Sequence, residues 1–424
     1  MIPLAVDEVR RLAPGELHTT GADAITGVTI DSRRVGPGDL FVAVGRGREF
    51  VAEAVERGAA AALVPDDPFA ALAALARAVR DRSSARIVAI TGATGKTSTK
   101  DILAALCRPH AAVVASESGF NNEIGLPLTV LRLEPETEIL IVEMGMRGLG
   151  QIAELCRTAR PDVAVITGVG PVHLELLGTV ERVAEAKAEV VAALPAGGTA
   201  VVPAAAPALE PFLRRDDIAF LRFGAGGDVR LERFDPPLLA ADVSGVRVEL
   251  EVPFTAAHQA VNALAALAAY AALGLPLDGA GTGAPQIEFA SLRGEEIELP
   301  GGALLINDCY NANPISMRAA LEHLVRCSTG RRTVAVLGEM AELGEGSPGF
   351  HSEIGAATRE LGVDVVLAVG DDLAARYGGT LVATPAEAGD LLRTLVEPGD
   401  VVLLKGSRAA RLETIAEALV GTPG

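Results

Sequence analysis

From residue 87 onward the chain alternates short, unbroken apolar runs with longer segments whose apolar positions recur at helical spacing. Uninterrupted runs of Val, Ile and Leu suit strands covered on both faces, the mark of a parallel sheet. The pattern predicts strands at 87–91, 111–115, 138–143, 163–167 and 199–203, with helices near 97–107, 123–131, 148–158 and 179–194. After Pro211 the β segments are irregular and lead to a long Ala-rich helix over 256–273. A Gly/Pro-rich passage, Gly279 to Pro285, loosens the chain before a second α/β alternation. Its strands fall at 303–307, 333–337, 364–369 and 400–404, and its helices near 315–327, 349–361, 385–396 and 409–420. The elements ahead of these are shorter: strands at 27–30 and 39–44, helices near 50–58 and 69–80, then polar Asp81 to Ser84, which reads as a linker. The fold class expected is α/β.

A chain of 424 residues holds two or three such units, since one hydrophobic core does not serve that length. Its formal charge of −18 leaves no basic surplus to neutralise a phosphate backbone, so general nucleic-acid binding is not expected. Cys107, Cys156, Cys309 and Cys327 form no Cys-x-x-Cys pair, which points to a reducing cytoplasm rather than a disulfide or zinc framework. The N-terminus carries no basic region followed by an apolar run, so no secretory signal is expected. Val261 to Leu277 could imitate a membrane span, but it carries Asn262 and Tyr270 and breaks at Gly274 and Pro276, as a packed soluble helix would.

The chemistry starts in the segment Gly92-Ala93-Thr94-Gly95-Lys96-Thr97-Ser98. A strand, a glycine turn and a helix start aim backbone N–H groups at one spot, which suits a phosphate of ATP or GTP. Lys96 adds charge and the Thr97 hydroxyl can hold Mg²⁺. The loop is shorter than the general phosphate loop, whose first glycine would fall at Ile90, inside the strand. Glu143, His173 and Asp308 also lie at or just beyond strand ends, where ligands collect in parallel sheets. Glu143 reads equally as a Mg²⁺ ligand or a helix cap, and His173 taken alone reads as a satisfied loop histidine ahead of a ligand. Lys187 falls within the apolar stripe Val180, Val183, Val190, Val191 and Leu194 of its helix. An inward lysine pairs with an anion such as Glu143, snorkels out, or loses its proton; the neutral amine can take up CO₂ as a metal-binding carbamate. Asp308 to Pro314 and Lys405 to Arg408 follow strands and read as anion clamps or as turns. The acidic loop Gly338 to Ser347 either receives a cation or is merely solvated. Nucleophile-elbow, zincin and dinucleotide motifs are missing, so phosphoryl transfer is the chemistry supported.

Taken in order, Thr91-Gly-Ala-Thr-Gly-Lys-Thr-Ser98, Asn121-Asn-Glu-Ile-Gly125, Val142-Glu-Met-Gly145, His173-Leu-Glu175, Ala186-Lys-Ala-Glu189, His258-x-x-x-Asn262, Asp308-x-Tyr-Asn-Ala-Asn-Pro314 and Lys405-Gly-Ser-Arg408 resemble the Mur ligases. The resemblance runs the length of the chain and implies three domains. These are an α/β N-terminal UDP-substrate domain (1–83), a central P-loop parallel-sheet ATPase (84–293) and a Rossmann-like C-terminal ligase domain (294–424). It implies that D-alanyl-D-alanine is joined to UDP-N-acetylmuramoyl-tripeptide through an acyl phosphate, with ATP and Mg²⁺, in a cytoplasmic monomer. The same chemistry on another pair, as in another muramyl ligase or a folylpolyglutamate-type ligase, is the alternative. A nucleotide switch with a degenerate site is disfavoured by intact Lys96, Thr97, Glu143, His173 and Lys187.

By resemblance, Gly92 to Ser98 hold the phosphates, Thr97 and Glu143 one Mg²⁺, and His173 with carbamylated Lys187 a second. Asn262, Arg293 and Asp308 face the nucleotide. Lys405 and Arg408 close over the reacting groups. Ser32, Arg33, Asn122, Tyr310, Asn311 and Asn313 serve the substrates. Two departures stand out: Gly45-Arg-Gly-Arg-Glu-Phe50 replaces the family's usual Asp-Gly-His segment, leaving Arg46 and Arg48 as diphosphate candidates, and Gln259 stands where asparagine is expected.

Overall fold

A computed structural model describes residues 1–420. The chain divides into two compact units. The first comprises Met1–Thr167, Glu185–Pro253 and Val261–Ile287; the second comprises Gly168–Ala184, Phe254–Ala260 and the chain from Glu288 onward.

The first unit contains a nine-stranded sheet. From one edge its order is Val246–Glu251, Leu238–Val243, Val229–Asp235, Ala219–Phe223, Thr199–Pro203, Val163–Ile166, Arg86–Thr91, Ile139–Glu143 and Val113–Ala115. The strands from Ala219–Phe223 to Val113–Ala115 run parallel, as the apolar runs predict. Ile87, Val88, Ala89 and Ile90 are fully buried, as are Leu140 to Val142 and Val163 to Ile166. Burying each such aliphatic side chain contributes about 1.5–3 kcal/mol. The irregular region after Pro211 extends this sheet by one parallel strand and an antiparallel meander. Val229–Asp235 is largely exposed and Val246–Glu251 alternates, so their charged positions hide the meander from a search for apolar runs. A four-stranded sheet, ordered Gly15–Thr19, Ala61–Pro65, Asp39–Val42 and Gly27–Thr29, belongs to the same unit. The segment Asp81 to Ser84 is no loose linker. Arg80 donates to Ala159 O at 3.1 Å, and Arg82 reaches Pro3 O at 2.7 Å and Glu8 at 2.6 Å.

The second unit is built on a six-stranded sheet ordered Glu295–Glu298, Leu304–Asn307, Val401–Lys405, Thr333–Gly338, Val365–Val369 and Thr380–Val382. All pairs are parallel except the first. Apolar clusters cover both faces: Met317, Leu321, Leu324 and Ile354 on one, Leu392, Leu412 and Ile415 on the other. The helix expected over 409–420 is split. Arg408–Ala410 makes a tight turn, Arg411 takes a left-handed φ of 51°, and the helix proper is Glu413–Val420. The Gly279 to Pro285 passage is part of a 3-10 run, Leu277–Gln286. The Ala-rich helix is Ala257–Ala272, and among the described residues no helix is long and apolar enough to cross a membrane.

Candidate active site

The strand Arg86–Thr91 delivers the chain to Gly92 at the carboxyl edge of the first unit's sheet, and the helix Lys96–Cys107 starts four residues later. Both glycines are required by close approach. A Cβ on Gly92 (φ +153°) would lie 1.9 Å from Thr167 Oγ1, and one on Gly95 (φ +77°) 2.2 Å from Asn262 Oδ1. Thr167 closes the neighbouring strand: its N–H donates to Thr91 O at 2.8 Å, and its hydroxyl donates to Thr94 O. Lys96 Nζ folds back onto Gly92 O at 2.9 Å, so the loop is shaped by its own residues. The N–H groups of the helix's first turn and its dipole then favour an anion at this end.

Glu143 is 2% exposed at the end of Ile139–Glu143, the strand beside the loop strand. Thr97 Oγ1 donates to its Oε2 at 2.8 Å and Asn121 Nδ2 to its Oε1 at 2.8 Å. Asn121 is itself fixed, since its carbonyl accepts from Gly145 N–H at 2.7 Å. The hydroxyl and carboxylate expected to share an ion are therefore adjacent, and both are the hard oxygen donors that Mg²⁺ takes. Lys187 is also 2% exposed, among Val183, Val190 and Val191. Snorkelling is thus excluded, and Glu143 has its own partners. Burial first, and then the charge of Lys96, push the Lys187 amine well below its ordinary pKa. Both effects favour the neutral amine.

In the second unit His173 takes a left-handed φ of 53° ahead of the short helix Leu174–Leu177. Its Nδ1 pairs with Glu342, and Glu175 N–H donates to Glu342 O at 3.2 Å. The acidic loop therefore does receive a group, and that group is His173. The loop is held from behind by His351, which is fully buried. Its Nε2 accepts from Met340 N–H at 3.0 Å, so Nδ1 carries the hydrogen and donates to Ser347 O at 2.8 Å.

The Asp308 to Pro314 and Lys405 to Arg408 segments meet in this unit. Lys405 is 2% exposed, ion-paired to Asp308 Oδ2 at 2.7 Å, and donates to Asp308 O at 3.1 Å and Asn311 O at 3.0 Å. The last strand carries it inward, so its charge serves the Asp308 turn. Arg408 is exposed and lies 3.5 Å from Glu413. The Arg293 guanidinium stacks over the Tyr310 ring at 4.0 Å. Asn311 Oδ1 accepts from Ala312 N–H, and Asn313 forms a reciprocal cap with Ser316 at the start of the helix Pro314–Ser328. Burial, against the opposing charge of Asp308, pushes His258 down to about 4.

The residues expected to meet UDP-linked substrate lie in the first unit, and most have partners of their own. Arg33 grips Asp31 with two nitrogens at 2.9 and 2.8 Å, holding that carboxyl down at about 2. Ser32 donates to Glu53 at 3.3 Å. Arg46 pairs with Glu49 and Arg48 with Glu16, so neither is a ready-made diphosphate clamp. Asn122 Oδ1 caps the helix Gly125–Val130 through Ile124 and Gly125 N–H. Thr167 and Asn121 were not among the expected site residues. Asn121 opens one of the family motifs without a role of its own there, and Thr167 is revealed by the strand order, which puts 163–166 beside 86–91.

Residues 90–270 match the Mur ligase middle domain, and residues 292–408 match the Mur ligase glutamate ligase domain. The chain belongs to the Mur ligase family. This Mur ligase is 33% identical to the UDP-N-acetylmuramoyl-tripeptide–D-alanyl-D-alanine ligase of Bacillus subtilis, with 100% of both chains covered. Among solved structures, MurF from Acinetobacter baumannii superposes with a TM-score of 0.88 at 29% identity, covering 99% of each chain. MurF from Thermotoga maritima in complex with ADP gives 0.82 at 31% identity, covering 93% of this Mur ligase and 96% of the other.

Proposed function

We propose that this Mur ligase joins D-alanyl-D-alanine to UDP-N-acetylmuramoyl-tripeptide in an ATP- and Mg²⁺-dependent, ADP-forming reaction of peptidoglycan synthesis. The observation that carries the reading is the end-to-end match with the Bacillus subtilis ligase of that activity. The terminal carboxylate of the tripeptide attacks the γ-phosphorus of ATP; the bond to ADP breaks and an acyl phosphate forms. The amine of D-alanyl-D-alanine adds to the acyl carbon, phosphate leaves with the C–O electron pair, and the nitrogen gives up a proton.

In this reading Gly92 to Ser98 cradle the phosphates and Lys96 neutralises them. Thr97 and Glu143 would hold Mg²⁺, which when bound draws charge off the phosphate oxygens. A second ion would be held by His173 and a Lys187 carbamate. With Nδ1 committed to Glu342, the His173 ring presents Nε2 as its acceptor, the tautomer that a carboxylate-backed ligand adopts. In its neutral form the Lys187 amine would form an N–C bond to CO₂ and release a proton to give the carbamate. Asn262, Arg293 and Asp308 would face the nucleotide, with Arg293 already flattened on Tyr310. Lys405 acts here as a positioning residue for Asp308, while exposed Arg408 is the group free to reach the reacting phosphate. Ser32, Arg33, Asn122, Tyr310, Asn311 and Asn313 would contact the substrates. The domains would run 1–83, 84–293 and 294–424, in a cytoplasmic monomer.

The test supplies purified protein with ATP, Mg²⁺, the UDP-linked tripeptide and D-alanyl-D-alanine and follows phosphate release. Release that needs both substrates is expected. Release indifferent to D-alanyl-D-alanine overturns the assignment.

A further inference from the structure

Away from the groups assigned above, the second unit gathers three unlike donors at the edge of its sheet. His323 and Cys327 lie one turn apart on the helix Pro314–Ser328, so both project from the same face. Glu296, on the edge strand Glu295–Glu298, comes up beside them. Their ligand atoms all lie within 4.8 Å of one another. His323 Nε2 is 3.3 Å from Glu296 Oε1, and Cys327 Sγ is 3.6 Å from the same nitrogen and 3.5 Å from Nδ1. Thr255 Oγ1 donates to Glu296 Oε1 at 2.8 Å and holds the carboxylate in place.

We propose that Glu296, His323 and Cys327 form a binding site for a borderline-soft divalent cation, zinc foremost. The spacing is what such an ion requires. Tetrahedral bonds of about 2.3 Å to sulfur and about 2.0–2.2 Å to nitrogen and oxygen put neighbouring nitrogen and oxygen about 3.4 Å apart, and sulfur and nitrogen about 3.5 Å apart. The separations of 3.3 and 3.6 Å are of that size, and because Sγ lies nearly as close to Nδ1, at 3.5 Å, the imidazole turns about its χ2 to aim Nε2 at the shared ion. The donor set excludes the hard Mg²⁺ of the ligase reaction, because a thiolate and an imidazole favour zinc-like ions. One carboxylate and one thiolate also cancel the charge of a divalent cation, so the ion can sit beside the buried imidazole without a net charge. The half-exposed Glu296 gives it a path from solvent, and three protein ligands leave a fourth position for water. The ion would pin the helix that begins at the Asn311 to Asn313 turn onto the edge strand.

Metal-free protein is titrated with Co²⁺ in excess Mg²⁺, so that oxygen-only sites are already filled. Stoichiometric uptake with a thiolate-to-cobalt charge-transfer band is expected, as is loss of the band when Zn²⁺ displaces the cobalt. Cys327→Ser should lose the band. Glu296→Gln should keep the fold and bind Co²⁺ more weakly, by at least the roughly tenfold cost of losing an outer-shell partner. Zinc should raise the melting temperature of the parent protein but not of Cys327→Ser. Absence of the band in the parent, or its survival in Cys327→Ser, overturns the site and leaves His323 and Glu296 as an ion pair only.

Discussion

Lys187 has the environment of a residue that costs stability for the sake of chemistry. Its helix buries it in an apolar stripe, and Lys96 adds a second reason to shed the proton. Lys187→Ala should lower turnover by about a hundredfold, ~2.7 kcal/mol of transition-state stabilisation. A short added carboxylate should restore part of it by standing in for the carbamate; unchanged turnover would leave Lys187 as packing. His351 gives a pH dependence of a different origin. Burial holds its pKa below the ordinary imidazole value, so as pH falls through about 6.5 the unfolded chain takes up a proton that the folded one refuses. Stability of the second unit is therefore present above that pH and lost below it. His351→Gln, whose side-chain oxygen can accept from Met340 N–H, should flatten the slope in denaturant titrations at pH 5 to 7. At this scale the sequence is informative about which residues face inward and poor about whom they meet. The stripe exposes Lys187, and a strand end exposes Glu143. Nothing in the sequence says that Asn121 holds Glu143, or that Lys405 turns in to Asp308, because those pairings come from strand order and side-chain direction.

At the scale of elements, the phosphate loop works because two neighbouring segments press on its glycines. Gly95→Ala would add a Cβ 2.2 Å from Asn262 Oδ1 and force a side chain into a left-handed backbone that costs about 1–2 kcal/mol. Calorimetric titration with a non-hydrolysable ATP analogue should show affinity reduced at least tenfold; wild-type affinity would mean the loop can be rebuilt around a methyl group. Such loops and the apolar strands beside them are the most legible elements, since burial on both faces leaves an unbroken aliphatic run. The meander of Val229–Asp235, Leu238–Val243 and Val246–Glu251 is legible only as irregular β, because its two outer strands carry charges on exposed positions and no two of its strands share a burial pattern. The helix over 409–420 is blurred for another reason: a single left-handed residue, Arg411, breaks it without a glycine or proline to announce the break.

Across the whole molecule, a formal charge of −18 faces substrates that are themselves anionic. Association with the UDP-linked tripeptide should therefore be repelled at long range. Raising ionic strength from a few millimolar toward 0.15 M, where the screening length is about 8 Å, should raise or preserve kcat/KM. A steep fall with salt would reveal an attractive basic surface instead. Motif order gives the family and the apolar runs the α/β class, but of the crossings between the compact units only the one after the Gly279 to Pro285 passage is announced by a linker-like stretch. The chain passes from one unit to the other at 167/168, 184/185, 253/254, 260/261 and 287/288. A protein threaded in this way resists being remade from modules. A recombination event at residue 287 would transplant a second unit stripped of His173, Thr255 and His258, taking the imidazole from Glu342 and the Thr255 hydroxyl from Glu296. Hybrids of this ligase with its relatives should therefore be viable only when Gly168–Ala184 and Phe254–Ala260 travel with the C-terminal sheet.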